Sequence, residues 1–250
     1  MQTNLNHKNA ILLFLTAVIF FSCEKDYNTG TGENQVSGLN TGFLMQKDTI
    51  VLTLRPGPNN GNDAFVANLN REYIHTNYNH DPELAMVEWT VNGQPVTERS
   101  FLKFDELSII PSNATIISAR LSLYGLDPNT SSTAPQGNSV YEGSPYKGEN
   151  GCYIERVIEH DWSEDLITWN NKPASDKNLK DSIPPSTSQW NYDATIDVTN
   201  LVSLMVGEGN SNYGFFIRLK GINPYRSILF SSSEAADASK RPKLVVTYKL

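Results

Sequence analysis

The sequence has only two cysteines in 250 residues, Cys23 and Cys152. If Cys23 carries a lipid, as argued below, Cys152 has no partner in the chain, and an apolar core rather than a disulfide must hold the fold. Cys152 lies in the strand-like run Gly151-Cys152-Tyr153-Ile154, with no histidine close in sequence to activate it, so it reads as a small buried hydrophobe. The longest apolar run, Ala10 to Phe21, is too short to span a bilayer as a helix. There is no block of basic residues, and the net charge is −7, which argues against nucleic acid and against electrostatic attachment to anionic lipid. No nucleophile elbow, zinc-protease helix, phosphate-binding glycine loop or Ser-His-Asp order occurs. Glycoside hydrolysis needs a facing carboxylate pair. Asp161, Glu164 and Asp165 are close in sequence, but nothing marks them as such a pair, so the chain is not expected to be an enzyme. No repeat is visible, which excludes a solenoid or propeller.

What is present begins with an address. Lys8, the apolar run from Ala10 and the small Ser22 before Cys23 have the order of a secretory signal over residues 1–22. A cysteine directly after that signal makes it similar to a lipoprotein signal, although Phe20 and Phe21 stand where such signals usually carry Leu and a small residue. An ordinary secretory signal cut near Ser22 is the alternative. Cys23 is therefore the expected site of lipid attachment, with membrane contact through the lipid. Residues 23–45 are rich in Asn, Thr, Gly and charge, the composition of a flexible tether. Its reach is on the order of 25–30 Å, enough to hold a folded head clear of lipid headgroups.

Residues 46–250 read as one all-β domain. Apolar alternation marks Ile50, Leu52 and Leu54; Leu102 and Phe104; Ile117, Ala119, Leu121 and Leu123; Phe215, Ile217 and Leu219; and Leu244, Val246 and Tyr248. Short alternating strands bounded by Gly, Pro, Asn and Asp predict a β-sandwich in which each sheet keeps one wet face. Val198, Leu201, Val202 and Met205 recur at helical spacing instead, with Asp197 or Thr199 to cap the start and Gly207 or Gly209 to end it. One short helix is expected there. The segments Tyr73 to Glu98 and Leu126 to Gly151 read as long insertions, where binding residues tend to sit.

The motifs Phe101-Leu102-Lys103-Phe104-Asp105, Ala119-Arg120-Leu121-Ser122-Leu123-Tyr124, Asp161-Trp162-Ser163-Glu164, Thr168-Trp169-Asn170-Asn171-Lys172-Pro173, Asn212-Tyr213-Gly214-Phe215 and Arg241-Pro242-Lys243-Leu244-Val245-Val246-Thr247-Tyr248 follow one another in this order. As a set they resemble the DNRLRE domain family over residues 46–250. That family occurs as carbohydrate-binding modules attached to polysaccharide-degrading enzymes and as repeats in archaeal disaggregatase-type proteins. The resemblance implies a jelly-roll β-sandwich, a binding rather than a catalytic role, and structural parts for Glu164 and Arg241.

Candidate ligand residues then lie outside the shared motifs. Tyr73, His75 and Tyr78, with His80, gather rings and hydrogen-bonding groups in one short stretch, and Trp89 and Trp190 offer aromatic faces that suit the C–H face of a sugar. Tyr225 beside Arg226 offers stacking and a bidentate fork. Trp162 and Trp169 are expected to close the core. Lys147, Lys172, Lys177, Lys180, Arg226 and Lys240 fall in predicted loops and matter if the ligand is an acidic polysaccharide. His75 and His80 with Asp81 and Glu83 do not match a zinc spacing, and no metal site or cofactor is assigned. Oxygen-rich loops at Asn59, Asn60, Asn62 and Asp63, and at Asp127 and Asn129, leave calcium open, although turn chemistry accounts for them first. The expectation is a lipid-anchored protein of the outer membrane or cell surface that binds polysaccharide. A structural or adhesive protein with a protein or matrix partner is the alternative, and a polysaccharide hydrolase or lyase the third.

Overall fold

The computed structural model describes residues 49–250 apart from residue 72, residues 132–133 and residues 208–210. The signal over 1–22, the tether over 23–45 and Cys23 lie outside the described residues. The described residues fall in one compact unit. The strands are β1 (Ile50–Leu54), β2 (Asn62–Asn68), β3 (Glu83–Val91), β4 (Gln94–Lys103), β5 (Thr115–Leu123), β6 (Cys152–Val157), β7 (Ser175–Ile183), β8 (Ala194–Asp197), β9 (Phe215–Leu219), β10 (Arg226–Ser231) and β11 (Lys243–Lys249), and α1 (Thr199–Gly207) follows β8. Two antiparallel sheets form, β1-β11-β5-β8 and β10-β3-β4-β9-β6-β7, with β2 on β4. This is the expected all-β sandwich with one short α-helix.

The smaller sheet follows the expected alternation except at Ile117, which is exposed while Ile116 packs on the core, because the β11 register shifts between Thr247 and Tyr248. Along β11, Leu244, Val246 and Tyr248 are buried while the residues between them are half-exposed. The helix also forms where the spacing places it: Asp197 Oδ1 accepts from the Thr199 backbone N–H at 3.1 Å, and Leu201, Val202, Met205 and Val206 are buried.

The expectation of one wet face per sheet fails in the larger sheet. β2 lies along one edge of β4, while β4's other edge is shared, by β3 up to Val87↔Glu98 and by β9 at Ser100 to Leu102. Consequently β3 leaves β4 midway and continues only with β10. Leu84, Met86, Ile228 and Phe230 face the main core between the sheets. The opposite residues Ala85, Val87 and Leu229 pack on Phe65 and Ala67 of β2 and on Leu126 and Ala134 of the loop after β5. A strand buried on both faces has no polar alternation to display. This is also why Tyr73 to Glu98 is not an insertion: most of it is the β3–β4 hairpin, closed by Asn92 (φ 51°) and Gly93 (φ 76°) as a two-residue turn of positive φ.

The Leu126 to Gly151 segment covers the outer edge of β10. The Ser139 N–H donates to Ser227 O at 2.9 Å, Asn150 Nδ2 donates to the same oxygen at 2.6 Å, and the Leu229 N–H donates to Asn138 Oδ1 at 2.9 Å. Free strand edges invite aggregation, and this loop pairs the edge with its own polar groups. Asn138→Ala leaves the buried Leu229 N–H without its acceptor and is expected to lower stability by about 1–3 kcal/mol, read from urea unfolding midpoints. An unchanged midpoint contradicts this role.

The motif residues join distant segments. Lys103 Nζ meets Asp105 and Asp161, each at 2.8 Å. Trp162 Nε1 donates to Tyr213 O at 2.8 Å, and Asn212 Nδ2 to Phe104 O at 2.7 Å. Arg241 Nε donates to Ala235 O at 2.9 Å. Cys152 is a buried free thiol whose pKa burial pushes up, which suits packing rather than reactivity.

Candidate functional site: a basic aromatic groove

On β6, Cys152 and Ile154 point into the core, so Tyr153 and Glu155 point out. The register sets Tyr153 opposite Arg218 of β9 and Ser182 of β7, and Glu155 opposite Phe216 and Lys180. One outer face therefore gathers a phenol ring, a phenyl ring and several cations. Around the Tyr153 ring stand Lys180 Nζ at 4.5 Å, Arg218 Cζ at 5.0 Å and Lys220 Nζ at 5.4 Å from the centroid. Glu155, fully buried, fixes Arg218 through contacts of 2.9 Å to Nε and 2.7 Å to Nη2, and accepts from Ser175 Oγ at 2.6 Å.

A groove of about 540 Å³ adjoins this ring, lined by Lys172, Lys177, Arg218, Phe216 and Glu159 among others. Lys172 Nζ lies 3.9 Å from the centroid of the half-buried Trp169 ring. Burial, and then the charge of Arg99, hold Lys172 below the ordinary lysine range. Five cations thus share this face with the carboxylates of Glu155 and Glu159, of which Glu155 is committed to Arg218. Lysines on an edge strand such as β7 often serve only to discourage further pairing. Here, however, they converge with Arg218 and Lys220 from β9 and its end and with Lys172 from the preceding loop. Cations beside aromatic faces can pair with carboxylates while the rings offer apolar area to sugar C–H groups.

The predicted ligand residues are divided. Trp89, Tyr225 and Tyr146 form an edge-on aromatic cluster, with Trp89 4.9 Å from Tyr146 and 5.3 Å from Tyr225 between ring centroids. The Arg226 guanidinium lies against Gly148 and Gly221, at positions that a Cβ on either glycine would contact at 2.2–2.6 Å. Tyr78 stacks on Phe65 at 4.3 Å, and burial followed by the Glu98 charge pushes its phenol up to about 12. Trp190 packs on the same satellite cluster as Tyr78 and Trp89. Tyr73 and His75 are exposed on a 3-10 turn. Of the six predicted basic residues, Lys172, Lys177 and Lys180 share the groove face, and Lys177 and Lys180 lie on β7 rather than in a loop. Arg226 likewise opens β10. Lys240 faces Asp193 at 3.7 Å.

Tyr153, Phe216, Arg218 and Lys220 were not among the predicted ligand residues. Alternation against Cys152, Ile154, Ile217 and Leu219 marked the first three as outward-facing, but only the strand register makes them neighbours. The oxygen-rich loops mostly show turn chemistry: Asn60 Oδ1 accepts from the Gly57 N–H at 2.9 Å and Asp127 Oδ1 from the Asn129 N–H at 3.0 Å. Asp63 differs. It is 2 % exposed, and burial, opposed by hydrogen bonds from Ser233 and reinforced by Glu164 and Glu234, pushes it up to about 7.

Among the described residues no helix is long and apolar enough to cross a membrane. No match is found among curated proteins. The family model for carbohydrate-binding module family 96 matches residues 58–248, which spans β2 to β11 and the whole of the groove, and the chain therefore belongs to that family.

Proposed function

We propose that this protein is a non-catalytic lipoprotein of the outer membrane or cell surface that holds an acidic polysaccharide in the groove between Trp169 and Tyr153. The observation that carries this reading is the convergence of Lys172, Lys177, Lys180, Arg218 and Lys220 on one face of a chain whose net charge is −7. A local positive face on an acidic body steers and holds polyanions while the remainder repels them. The motif order that resembles DNRLRE domains fits the same kind of module. Binding rather than hydrolysis is favoured by the state of the groove's carboxylates: Glu155 is ion-paired with Arg218, and Glu159 accepts from the Ala174 N–H at 2.8 Å. A single groove binds weakly, and many lipid-anchored copies add avidity.

Affinity electrophoresis in gels cast with a polyuronate or with a neutral glucan tests the ligand class. Retardation by the polyuronate that Lys180→Ala with Lys220→Ala removes and Trp89→Ala retains is the expected result. Retardation by the neutral polymer alone contradicts the acidic assignment, and release of shortened or unsaturated chains contradicts the non-catalytic one. The anchor has its own test: Cys23→Ser should move the protein from the membrane fraction to the soluble fraction, and an unchanged distribution rejects lipid attachment at that residue. The adhesive alternative draws on one observation, the exposed Tyr225 of the Trp89 cluster. It gains if Trp89→Ala or Tyr225→Ala abolishes attachment to a protein matrix while no polysaccharide binds.

A further inference from the structure

We propose that the folded domain contains a site for a hard, oxygen-preferring divalent cation, calcium or manganese, held by Glu164, Asp165 and His80, with Glu234 and the buried Asp63 beside them. The site joins four segments: the start of β2, the turn at His80, the turn at Glu164 and Asp165, and the turn after β10. His80 sits in the left-handed region (φ 56°) with its ring among the carboxylates. Its Nδ1 lies 3.6 Å from Glu164 Oε1 and 3.6 Å from Glu234 Oε1, and its Nε2 lies 3.5 Å from Asp165 Oδ1. These separations exceed ordinary hydrogen bonds. One donor atom each of His80, Glu164 and Asp165 lies within 4.8 Å of the others, about twice the length of a calcium–oxygen bond and so compatible with ligands around one ion.

The second and independent observation is Asp63. Its Oδ2 accepts from the Ser233 N–H at 2.9 Å, and its own N–H donates to Glu164 Oε2 at 3.1 Å, which sets the carboxyl between Glu164 and the Ser233–Glu234 turn. The other oxygen, Oδ1, is buried and has no hydrogen-bond partner. A buried carboxylate oxygen without a donor is costly, and a cation held at the neighbouring Glu164 supplies the missing partner. Gly61 permits the approach, since a Cβ there would stand 2.1 Å from Ser233 Oγ.

Polar contact with His80 alone is the competing account: the ring is 55 % exposed and directs its nitrogens at Glu164, Glu234 and Asp165, but at 3.5–3.6 Å. A donor set dominated by carboxylate oxygen selects hard cations, and one imidazole at the rim is compatible with manganese. The turn at Glu164 opens the loop that carries Trp169 and Lys172, so a bound ion would also brace one wall of the groove. The site does not depend on the groove's ligand, and its test uses no sugar.

The experiment is equilibrium dialysis and thermal unfolding of chelator-treated protein, repeated with Ca²⁺, Mn²⁺ and Zn²⁺ separately. One Ca²⁺ or Mn²⁺ retained per chain, with Tm raised by about 5–10 °C at saturation, is expected. Glu234→Gln should abolish both effects while folding as the wild type does without metal, and Asp63→Asn, which keeps the shape and the acceptor for Ser233, should do the same. No retention of Ca²⁺ or Mn²⁺, or a Tm rise that survives both substitutions, overturns the proposal. Retention of Zn²⁺ alone overturns the oxygen-preferring assignment.

Discussion

Lys180→Glu combined with Lys220→Glu should weaken binding of a polyuronate by about 30–100-fold at low ionic strength, measured by titration calorimetry. The two side chains flank the Tyr153 ring, Lys180 from β7 at 4.5 Å and Lys220 from the end of β9 at 5.4 Å from its centroid, so the substitutions replace two attractive contacts by two repulsive ones at the same place. Exposed charge pairs contribute about 0.2–1 kcal/mol each, and reversal roughly doubles that change, which gives about 1–4 kcal/mol for the pair, with about 2–3 kcal/mol near its middle. Neither residue is buried, so the fold should be retained. Salt supplies a cross-check. The wild type should lose affinity between about 0.05 and 0.5 M ionic strength as the screening length contracts, whereas the double variant should lose little more. Equal affinity of the two proteins for the polymer contradicts the groove as the site. An equal salt response places the electrostatic contribution on another surface.

Glu98→Gln should raise stability at pH 9 by about 4–5 kcal/mol and leave it nearly unchanged at pH 4.5. Glu98 is buried on β4, and burial, followed by the charges of Glu83 and Asp81 and opposed by Arg99, pushes its carboxyl from 4.5 to about 8. Between those values the folded chain keeps the proton and the unfolded chain releases it. Stability contributed by this group is therefore fully present below about pH 4.5 and is lost as pH rises through 8. An amide cannot ionise, so the difference between variant and wild type isolates this one group. Urea unfolding at half-unit steps from pH 4.5 to 9 reads it directly. A difference that does not change with pH rejects the buried acid as the source.

How legible these features were depended on how many faces of a strand meet water. β5 and β11 have one wet side, and their alternation from Ala119 to Leu123 and from Leu244 to Tyr248 announced them, although Ile117, read as part of it, is exposed. α1 was equally plain because Val198, Leu201, Val202 and Met205 break the two-residue period. β3 and β10 were hidden, since Leu84 to Val87 and Ser227 to Phe230 are buried on both faces and carry no alternation. β7 was hidden for the opposite reason: Ser175 to Ser182 is mostly polar, being an edge strand with its lysines in water. Position was also misread in the Leu126 to Gly151 segment, whose Asn138, Ser139 and Asn150 cover a sheet edge with hydrogen bonds that sequence cannot assign to partners some 80–90 residues away.

The same limit applies to the site. Lys172, Lys177 and Lys180 were recognisable as cations that matter for an acidic ligand, and Trp169 as a shared aromatic. What could not be read was their company. Tyr153 and Arg218 are cross-strand neighbours although 65 residues separate them, and that pairing follows from the β6–β9 register alone. In Trp89, Tyr225 and Arg226 the sequence pointed to residues that the fold does bring together, because Trp89 lies opposite the position just before Arg226 in the β3–β10 register. That cluster gives the groove an internal rival within the same domain.

The measurement that decides between them is residue-resolved: amide chemical-shift changes in the isotopically labelled protein on titration with a short oligouronate. The groove reading predicts saturable shifts at Tyr153, Lys180, Arg218 and Lys220 and along the Trp169 to Lys177 segment, with Trp89, Tyr146 and Tyr225 unmoved. Shifts confined to the Trp89 cluster, or none at any residue at millimolar ligand, would contradict it.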